Sequence, residues 1–411
     1  MGLSQARTNM PTFDTTGARS ETVRQANLAA VLRHVHLAGP ATRSGLVAAT
    51  GLTRGAIGAL VGELGELGLV VEQPSTADGR PGRPSPLVRP DTANVVLAME
   101  VLVDSIAVAA IALGGEVIAQ HRHERPRTQL PVEITVADLT AMTTDVLAEL
   151  PSGSRLHGIA VAVAGVVRRD GTVMVAPNIG WHDEPLAERL AAAVGLGLPV
   201  IVANDGDVGA LAETRRGAAA GLDDVVYVAG EVGVGGGIIV GGRPLAGTAG
   251  FAGEIGHFPV SPDGLACKCG SRGCWETEVG EEALLRRTGH PVTGGRAALD
   301  ELFAAAAAGD PGVHAALREH ARWIGIGVAG IINVFDPAMV VLGGLLGRLM
   351  PYVADALADE LATRVFEEVR AQTSVVAAAL AGDAPLVGAA ELAWNRVLAD
   401  PAASTPARVG T

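Results

Sequence analysis

The sequence predicts two folds in one chain: a mostly α winged helix-turn-helix module over 21–90, then a two-lobed α/β body. Three observations carry this prediction. Charge is split, with nine Arg against seven Asp and Glu in residues 1–92 (+2) and −15 on the remainder, for a net −13. Periodicity is helical up to Pro90 and then turns to short Val- and Ile-rich runs between helices. The chain's only three cysteines, Cys267, Cys269 and Cys274, fall within eight residues. At 411 residues, 48% hydrophobic and 18% charged, the chain exceeds one ordinary domain and can bury a large core.

Residues 1–20 are polar and irregular and are expected to form a flexible arm. From Glu21, Val23, Leu28, Val31, Leu32, Val35 and Leu37 make a helical stripe that Gly39-Pro40 ends. A short helix is expected over 42–49 and a third over 53–67, with Thr53 as its N-cap and Ile57, Leu60, Val61 and Leu64 on its apolar face. A strand at 69–71, a polar Gly/Pro turn at 74–86 and a returning strand at Leu87-Val88 complete a wing. Arg43, Thr53 and Arg54 lie on the helix-turn-helix elements, Arg80 and Arg83 at the wing tip. Together they are the candidate contacts to double-stranded DNA. Any one Arg is equally a solvated face, but recognition helices read base edges with their first residues, and Arg in a stiff extended segment suits the minor groove.

After Pro90, strands are expected near 95–99, 105–113, 116–119, 158–163 and 200–203, around helices at 132–150 and 184–194. A second set follows, with strands near 225–229, 235–240 and 339–342 and helices at 281–288, 297–307, 311–335 and 349–361. Two successive strand-and-helix sets predict lobes at 91–203 and 204–383 with a cleft between them. A helix at 384–400 completes the first lobe and 401–411 is a disordered tail.

The most specific constellation is His257-x9-Cys267-x-Cys269-x4-Cys274, flanked by Gly264, Gly270 and Gly273. Three thiols and an imidazole are a closed tetrahedral ligand set, and this predicts a structural zinc with no position left for water. The glycine run 233–237 between two β-runs is either a phosphate cradle or a hairpin packed on a neighbour. Asn204-Asp205, after the strand at 200–203, reads either as a cleft carboxylate acting on a hydroxyl or as a helix N-cap. The first 21 residues lack the apolar core of a signal peptide and the apolar stretches are interrupted by charge. No membrane is therefore expected, and clustered reduced cysteines fit a cytoplasmic protein, here one associated with the nucleoid.

From Val23 to Asp400 the chain resembles the ROK family of repressors, open reading frames and sugar kinases, in its helix-turn-helix-bearing regulator branch of the xylose and N-acetylglucosamine repressor type. The resemblance rests on Gln25-Ala26-Asn27, Thr50-Gly51-Leu52-Thr53 and Gly82-Arg83-Pro84 in the module. In the body it rests on Ala176-Pro177-Asn178 with Trp181, Asn204-Asp205, GFAGEIGHF at 250–258 and CKCGSRGCWE at 267–276. It implies an actin/hexokinase-like body with a monosaccharide or sugar-phosphate effector in the cleft, held by Asn178, Asn204, Asp205, Glu254, His257 and Glu276. It also implies an operator-binding homodimer or dimer of dimers.

The phosphate loops depart from the kinases. Where kinases carry Asp-x-Gly-Gly-Thr this chain has Glu100-Val101-Leu102-Val103-Asp104-Ser105, and for the second loop's Gly-Thr-Gly it has Gly230-Glu231-Val232-Gly233. Carboxylates there repel a triphosphate. The resemblance therefore implies a regulator, most often a repressor in this family, with no ATP and no catalytic residue, Asp205 being the vestigial general-base position. The alternative is an ATP-dependent sugar kinase with an appended DNA-binding domain.

Overall fold

The computed structural model describes residues 16–74 and 86–409. They form two compact units, one of residues up to Asp91 with Asn395–Thr405, the other Thr92–Trp394 with Pro406 onward.

In the first unit, α1 (Thr16–Ala38), β1 (Ala41–Thr42), α2 (Arg43–Thr50), α3 (Arg54–Glu66), β2 (Val70–Gln73) and β3 (Leu87–Pro90) follow in order. α1 begins inside the stretch expected to be an arm, so 16–20 are helical. Residues 1–15 lie outside the described part of the chain. The threonines set the helix starts. Thr42 Oγ1 accepts the Gly45 N–H at 3.0 Å and Thr53 Oγ1 the Ala56 N–H at 3.3 Å, satisfying donors that a helix N-terminus leaves unpaired. Gly51, at φ 71°, ends α2 in the left-handed region and turns the chain toward α3. Leu28, Val31, Leu32, Val35, Leu46, Ile57 and Leu64 form the fully buried core of the three helices. β2 and β3 pair antiparallel, and β1 adds to β3 as a third strand too short to leave a sequence signal.

The second unit holds two sheets of one design. β4 (Asn94–Val101), β5 (Ser105–Ala112) and β6 (Val117–Glu124) form an antiparallel meander, followed by α4 (Val132–Ala148) and β7 (Arg155–Val163). A small sheet of β8 (Val166–Val167), β9 (Val173–Ala176) and β10 (Trp181–Glu184) leads through α5 (Leu186–Val194) to β11 (Val200–Asn204). The main strands order as β11-β7-β4-β5-β6, with β7 and β11 parallel to β4. α6 (Asp205–Arg216) then enters the second lobe. There β12 (Val225–Gly230), β13 (Val234–Val240) and β14 (Arg243–Pro244) make a second meander. Helices α7 (Glu276–Val279), α8 (Glu281–Arg287), α9 (Gly295–Ala307) and α10 (Pro311–Phe335) precede β15 (Met339–Gly343), α11 (Gly344–Arg364), α12 (Glu367–Arg370) and β16 (Ser374–Ala377). The order β14-β13-β12-β15-β16 repeats that of the first sheet, three antiparallel strands and then two parallel ones. β4 and β5 are buried at every position, which is why they read as unbroken apolar runs.

α6 packs against β12 and β13 so closely that a Cβ on Gly206 would lie 2.6 Å from the Gly236 carbonyl, and one on Gly237 2.3 Å from the Gly206 carbonyl. Gly237 thus sits inside β13 to admit the backbone of α6, and Gly236 leaves room for the Ile255 side chain, which is the packing alternative of the two open from sequence. Helix α13 (Ala384–Ala399), expected to complete the first lobe, divides between the two units at Asn395. The expected disordered tail also needs correction, because β17 (Ala407–Arg408) pairs with the start of β7 and Val409 is buried in the first-lobe core.

Candidate functional site

A cleft of about 1010 Å³ opens between the two sheets, and Asn178, Asn204, Asp205, Glu254, His257 and Glu276 all line it. Asn178 sits on the turn from β9 to β10. That turn is fixed by Ile179 and Gly180 N–H groups on the Ala176 carbonyl, and by buried Trp181, whose indole N–H donates to the Leu130 carbonyl at 2.9 Å. Asn204 and Asp205 stand where β11 passes into α6. The Asn204 side chain is the N-cap, accepting N–H groups of Gly206 and Asp207 at 2.8 and 3.2 Å while donating to the Gly165 carbonyl at 2.9 Å. Its oxygen is therefore committed to the helix, and α6 starts at Asp205. Asp205 accepts the Gly206 N–H through Oδ1 at 3.0 Å and lines the cleft.

Glu254 precedes and His257 ends a single 3-10 turn, Ile255–His257, pressed against β13 so tightly that Gly256 has no room for a Cβ beside the Val234 carbonyl. The cysteine segment folds back on itself through backbone bridges Pro259–Cys274 and Ala266–Arg272. Gly273, at φ 67°, would drive a Cβ to 1.6 Å from the Ser261 carbonyl, so the turn requires glycine. Buried Trp275 then pins the segment to α10, its indole N–H on the Trp323 carbonyl at 2.7 Å, and Glu276 opens α7 at the cleft wall.

The ligand atoms of His257, Cys267, Cys269 and Cys274 all lie within 4.8 Å of one another. Cys267 Sγ is 3.7 Å from His257 Nδ1, and Cys269 Sγ is 3.7 Å from Cys274 Sγ. A tetrahedron with metal–sulfur bonds of about 2.3 Å has edges of about 3.7 Å, so this Cys3His set has the dimensions to hold a metal ion. Nδ1 faces the sulfurs and Glu276 Oε1 (3.6 Å), while Nε2 lies 3.8 Å from Glu254 Oε2 on the cleft side.

The cleft is rich in carboxyls whose ionisation burial opposes. Burial raises Asp205 to about 6, against the pull of the Gly206 N–H and with a further push from Glu254. Burial, Glu254 and Asp205 raise Asp207 to about 7. Burial, helped by Glu276, raises Glu254 against the pull of His257. Such a set can accept hydrogen bonds from ligand hydroxyls where it is ionised and donate where it keeps its proton.

Three further carboxyl groups, Glu100, Asp104 and Glu231, stand at the ends of β4 and β12. Glu100 is fully buried in β4, its Oε2 on Arg122 at 2.5 Å, and burial raises it to about 7. Burial would raise Asp104 too, but hydrogen bonds from Arg296 and Arg127 outweigh it and hold the group below the usual carboxylate range. Glu231 lies against Gly344 at the start of α11, and burial with Asp104 and Asp205 nearby raises it to about 7.

Of the DNA candidates, Thr53 is the α3 cap and Arg54 the exposed first residue of α3. Arg43 is not free. Its guanidinium holds Glu72 of β2 through two bonds of 2.6 and 2.8 Å, tying α2 to the hairpin. Arg80 and Arg83 lie outside the described residues.

Sequence reasoning missed the polar links across the cleft. Arg127 bonds Asp104 and Glu281, Arg296 bonds Asp104, and Lys268 donates to Asn178. Only Lys268 had a visible signal, as the sole lysine of the chain.

A ROK family model matches residues 96–396 and a MarR family model residues 29–81. The chain is 28% identical over 380 residues to the xylose repressor of Bacillus subtilis (strain 168), covering 92% of this chain and 97% of that one. It is 34% identical over 310 residues to the glucokinase of Streptomyces coelicolor, covering 70% and 94%. Among solved structures, a ROK family transcriptional regulator, homolog of the E. coli MLC protein, superposes with a TM-score of 0.74 at 26% identity, over 92% of this chain and 97% of that one. A ROK family glucokinase from Streptomyces griseus, in complex with glucose and AMPPNP, gives 0.64 at 33% identity over 72% and 98%.

Proposed function

The chain belongs to the ROK family, and from that membership we propose that it is a sugar-responsive transcriptional repressor of carbohydrate genes. One combination carries the reading. A winged helix-turn-helix unit precedes a body whose cleft keeps the hydroxyl-accepting set while Glu100, Asp104 and Glu231 fill the phosphate-loop positions. The xylose repressor likeness spans both units, whereas the glucokinase likeness covers 70% of the chain.

A monosaccharide or its phosphate enters the cleft against Asn178, Asp205, Glu254, His257 and Glu276. Asn204 acts chiefly by capping α6, which aims Asp205. Zinc suits the Cys3His set, and the ligand count leaves no open position, so its role is structural. It would hold His257 through Nδ1, and that bond orients the ring so that Nε2 serves Glu254 and the sugar. The sugar binds one degree of lobe closure better than another and shifts that population. Operator DNA is read by a homodimer or dimer of dimers, because one recognition helix and wing read too little sequence alone. No single helix among the described residues is long and apolar enough to cross a membrane, in keeping with a cytoplasmic, nucleoid-associated regulator.

The phosphate-loop carboxylates support a non-enzymatic role. The test is a set of DNA-binding isotherms on the chain's own upstream region with and without D-xylose, D-glucose and N-acetyl-D-glucosamine and their phosphates. At least one ligand is expected to change operator affinity about tenfold or more. ATP-dependent turnover of any of these sugars that Asp205→Asn abolishes would instead establish the kinase.

A further inference from the structure

Lys268 is the only lysine among 411 residues, and it sits between two cysteines of the metal set. Its ammonium lies in the cleft wall and donates to Asn178 Oδ1 at 3.1 Å, across the cleft from the second lobe to the first. Its charged neighbour, Glu282 Oε1, is 3.6 Å away, and both side chains are more than half exposed, so that pair restrains it little.

The chemistry of the bond fixes more than a distance. An ammonium group only donates, so the atom of Asn178 that faces it must be the carbonyl oxygen. The amide NH2 is thereby turned toward Gly233 and the cleft interior, where Nδ2 lies 3.8 Å from the position of a Cβ on that glycine. Without Lys268 the two ends of the amide are nearly equivalent in shape, and either can face a ligand. Apart from His257, whose Nε2 is turned to Glu254, the rest of the set, Asp205, Glu254 and Glu276, is built of carboxylates that accept hydrogen bonds when ionised. A ligand oxygen that carries no proton, such as a ring oxygen or an acyl carbonyl, finds no partner in those three groups. It finds one in the fixed amide of Asn178, with the ammonium beside it.

We propose that Lys268 is a specificity-determining residue of the cleft: by holding the Asn178 amide it makes that corner a donor site for an aprotic oxygen of the sugar. This rests on the sugar-binding reading of the cleft. Because the bond joins the two lobes, the same residue also ties recognition at Asn178 to lobe closure.

A single lysine makes the test direct. Full-length protein labelled with 13C,15N-lysine gives one lysine side-chain signal in an NMR spectrum. Asn178→Ala is expected to move that signal, and so is saturation with whichever of D-glucose, D-xylose or N-acetyl-D-glucosamine stabilises the protein most. By calorimetry, Lys268→Met is expected to lower affinity for that sugar about tenfold or more and to level the differences among the three sugars, with Lys268→Arg restoring part of both. Metal content is measured on each variant, since residue 268 adjoins two cysteines of the metal set. Asn178→Ala leaves that segment intact and keeps the test standing should Lys268→Met not fold. A lysine signal unmoved by Asn178→Ala, or wild-type sugar ratios in Lys268→Met, overturns the assignment alone. A signal that answers Asn178→Ala but none of the sugars overturns the sugar reading and the specificity role with it.

Discussion

Arg127 of the first lobe holds Glu281 of the second through two hydrogen bonds of 2.5 and 2.9 Å, and the same guanidinium reaches Asp104 at 3.0 Å. Arg296 of α9 approaches Asp104 from the other side at 2.9 Å. The result is a chain of alternating charges across the cleft mouth, with Glu281 nearly buried. Removing one partner of such a pair leaves an uncompensated charge, which costs more than the pair itself contributes. Arg127→Met is therefore expected to destabilise the body by about 3 kcal/mol and to free the lobes to separate. Thermal unfolding reads the first effect, and an increased radius of gyration in small-angle X-ray scattering reads the second. Unchanged values for both would show that the lobes are held by other contacts.

The acidity of Asp205 gives a pH-dependent prediction. Burial raises its folded-state value to about 6 from the ordinary 3.8. The folded chain thus retains a proton that the unfolded chain releases. The stability this group contributes is full below about pH 4 and is lost as pH rises through about 6. Asp205→Asn removes that loss while keeping an acceptor for the Gly206 N–H. It is expected to raise stability by about 2–3 kcal/mol at pH 8, a gain that shrinks to nothing by pH 4, while abolishing the sugar response. Denaturation curves at pH 4, 6 and 8 check the trend. A gain that does not depend on pH would mean that Asp205 is not held protonated by burial.

The legibility of this molecule follows the range of its interactions. The helix cap Thr53, the cysteine segment and the strand-to-helix step at Asn204-Asp205 depend on neighbours a few residues away, and each left a readable signature. The links that span the cleft do not. Arg127 and Glu281 are 154 positions apart and Arg296 and Asp104 are 192 apart, so no periodicity or motif connects them. Asn204 was legible as a cleft residue or as a cap, but its commitment to α6 and Gly165 needed the backbone. β17 was missed because Ala407–Arg408 is too short for a pattern and pairs only with the distant start of β7.

The metal set predicts a linked loss. Cys274 is buried, next to the Trp275 that anchors the segment to α10, while Cys269 is exposed to a chelator. Purified protein is expected to carry one zinc per chain. Removing it with a strong chelator should lower the unfolding temperature and abolish the sugar effect on DNA binding together, because the same segment presents His257 and Glu276. Cys274→Ser should do the same without a chelator. Elemental analysis and the DNA isotherms check both, and a metal-free protein that still answers the sugar would separate the two roles.

Arg54 and Arg43 should behave differently on DNA, although both are arginines at the start of a helix-turn-helix element. Arg54 is exposed at the first position of α3 and makes no side-chain hydrogen bond or ion pair with another described residue. Arg43 already spends its fork on Glu72, so its contribution passes through the placement of the β2–β3 hairpin. Each phosphate contact adds about 0.9 to the slope of log affinity against log salt. Arg54→Ala is expected to flatten that slope by about 1 if it meets a phosphate, or to cost about 1–3 kcal/mol for one operator sequence over another if it meets a base. Arg43→Ala frees the Glu72 carboxylate and should weaken binding with little change in slope, whereas the double variant Arg43→Ala with Glu72→Ala should recover much of that affinity. Fluorescence anisotropy on operator and scrambled duplexes at several salt concentrations separates these outcomes. A slope lowered by about 1 in Arg43→Ala and not rescued in the double variant would show that Arg43 leaves Glu72 for the DNA.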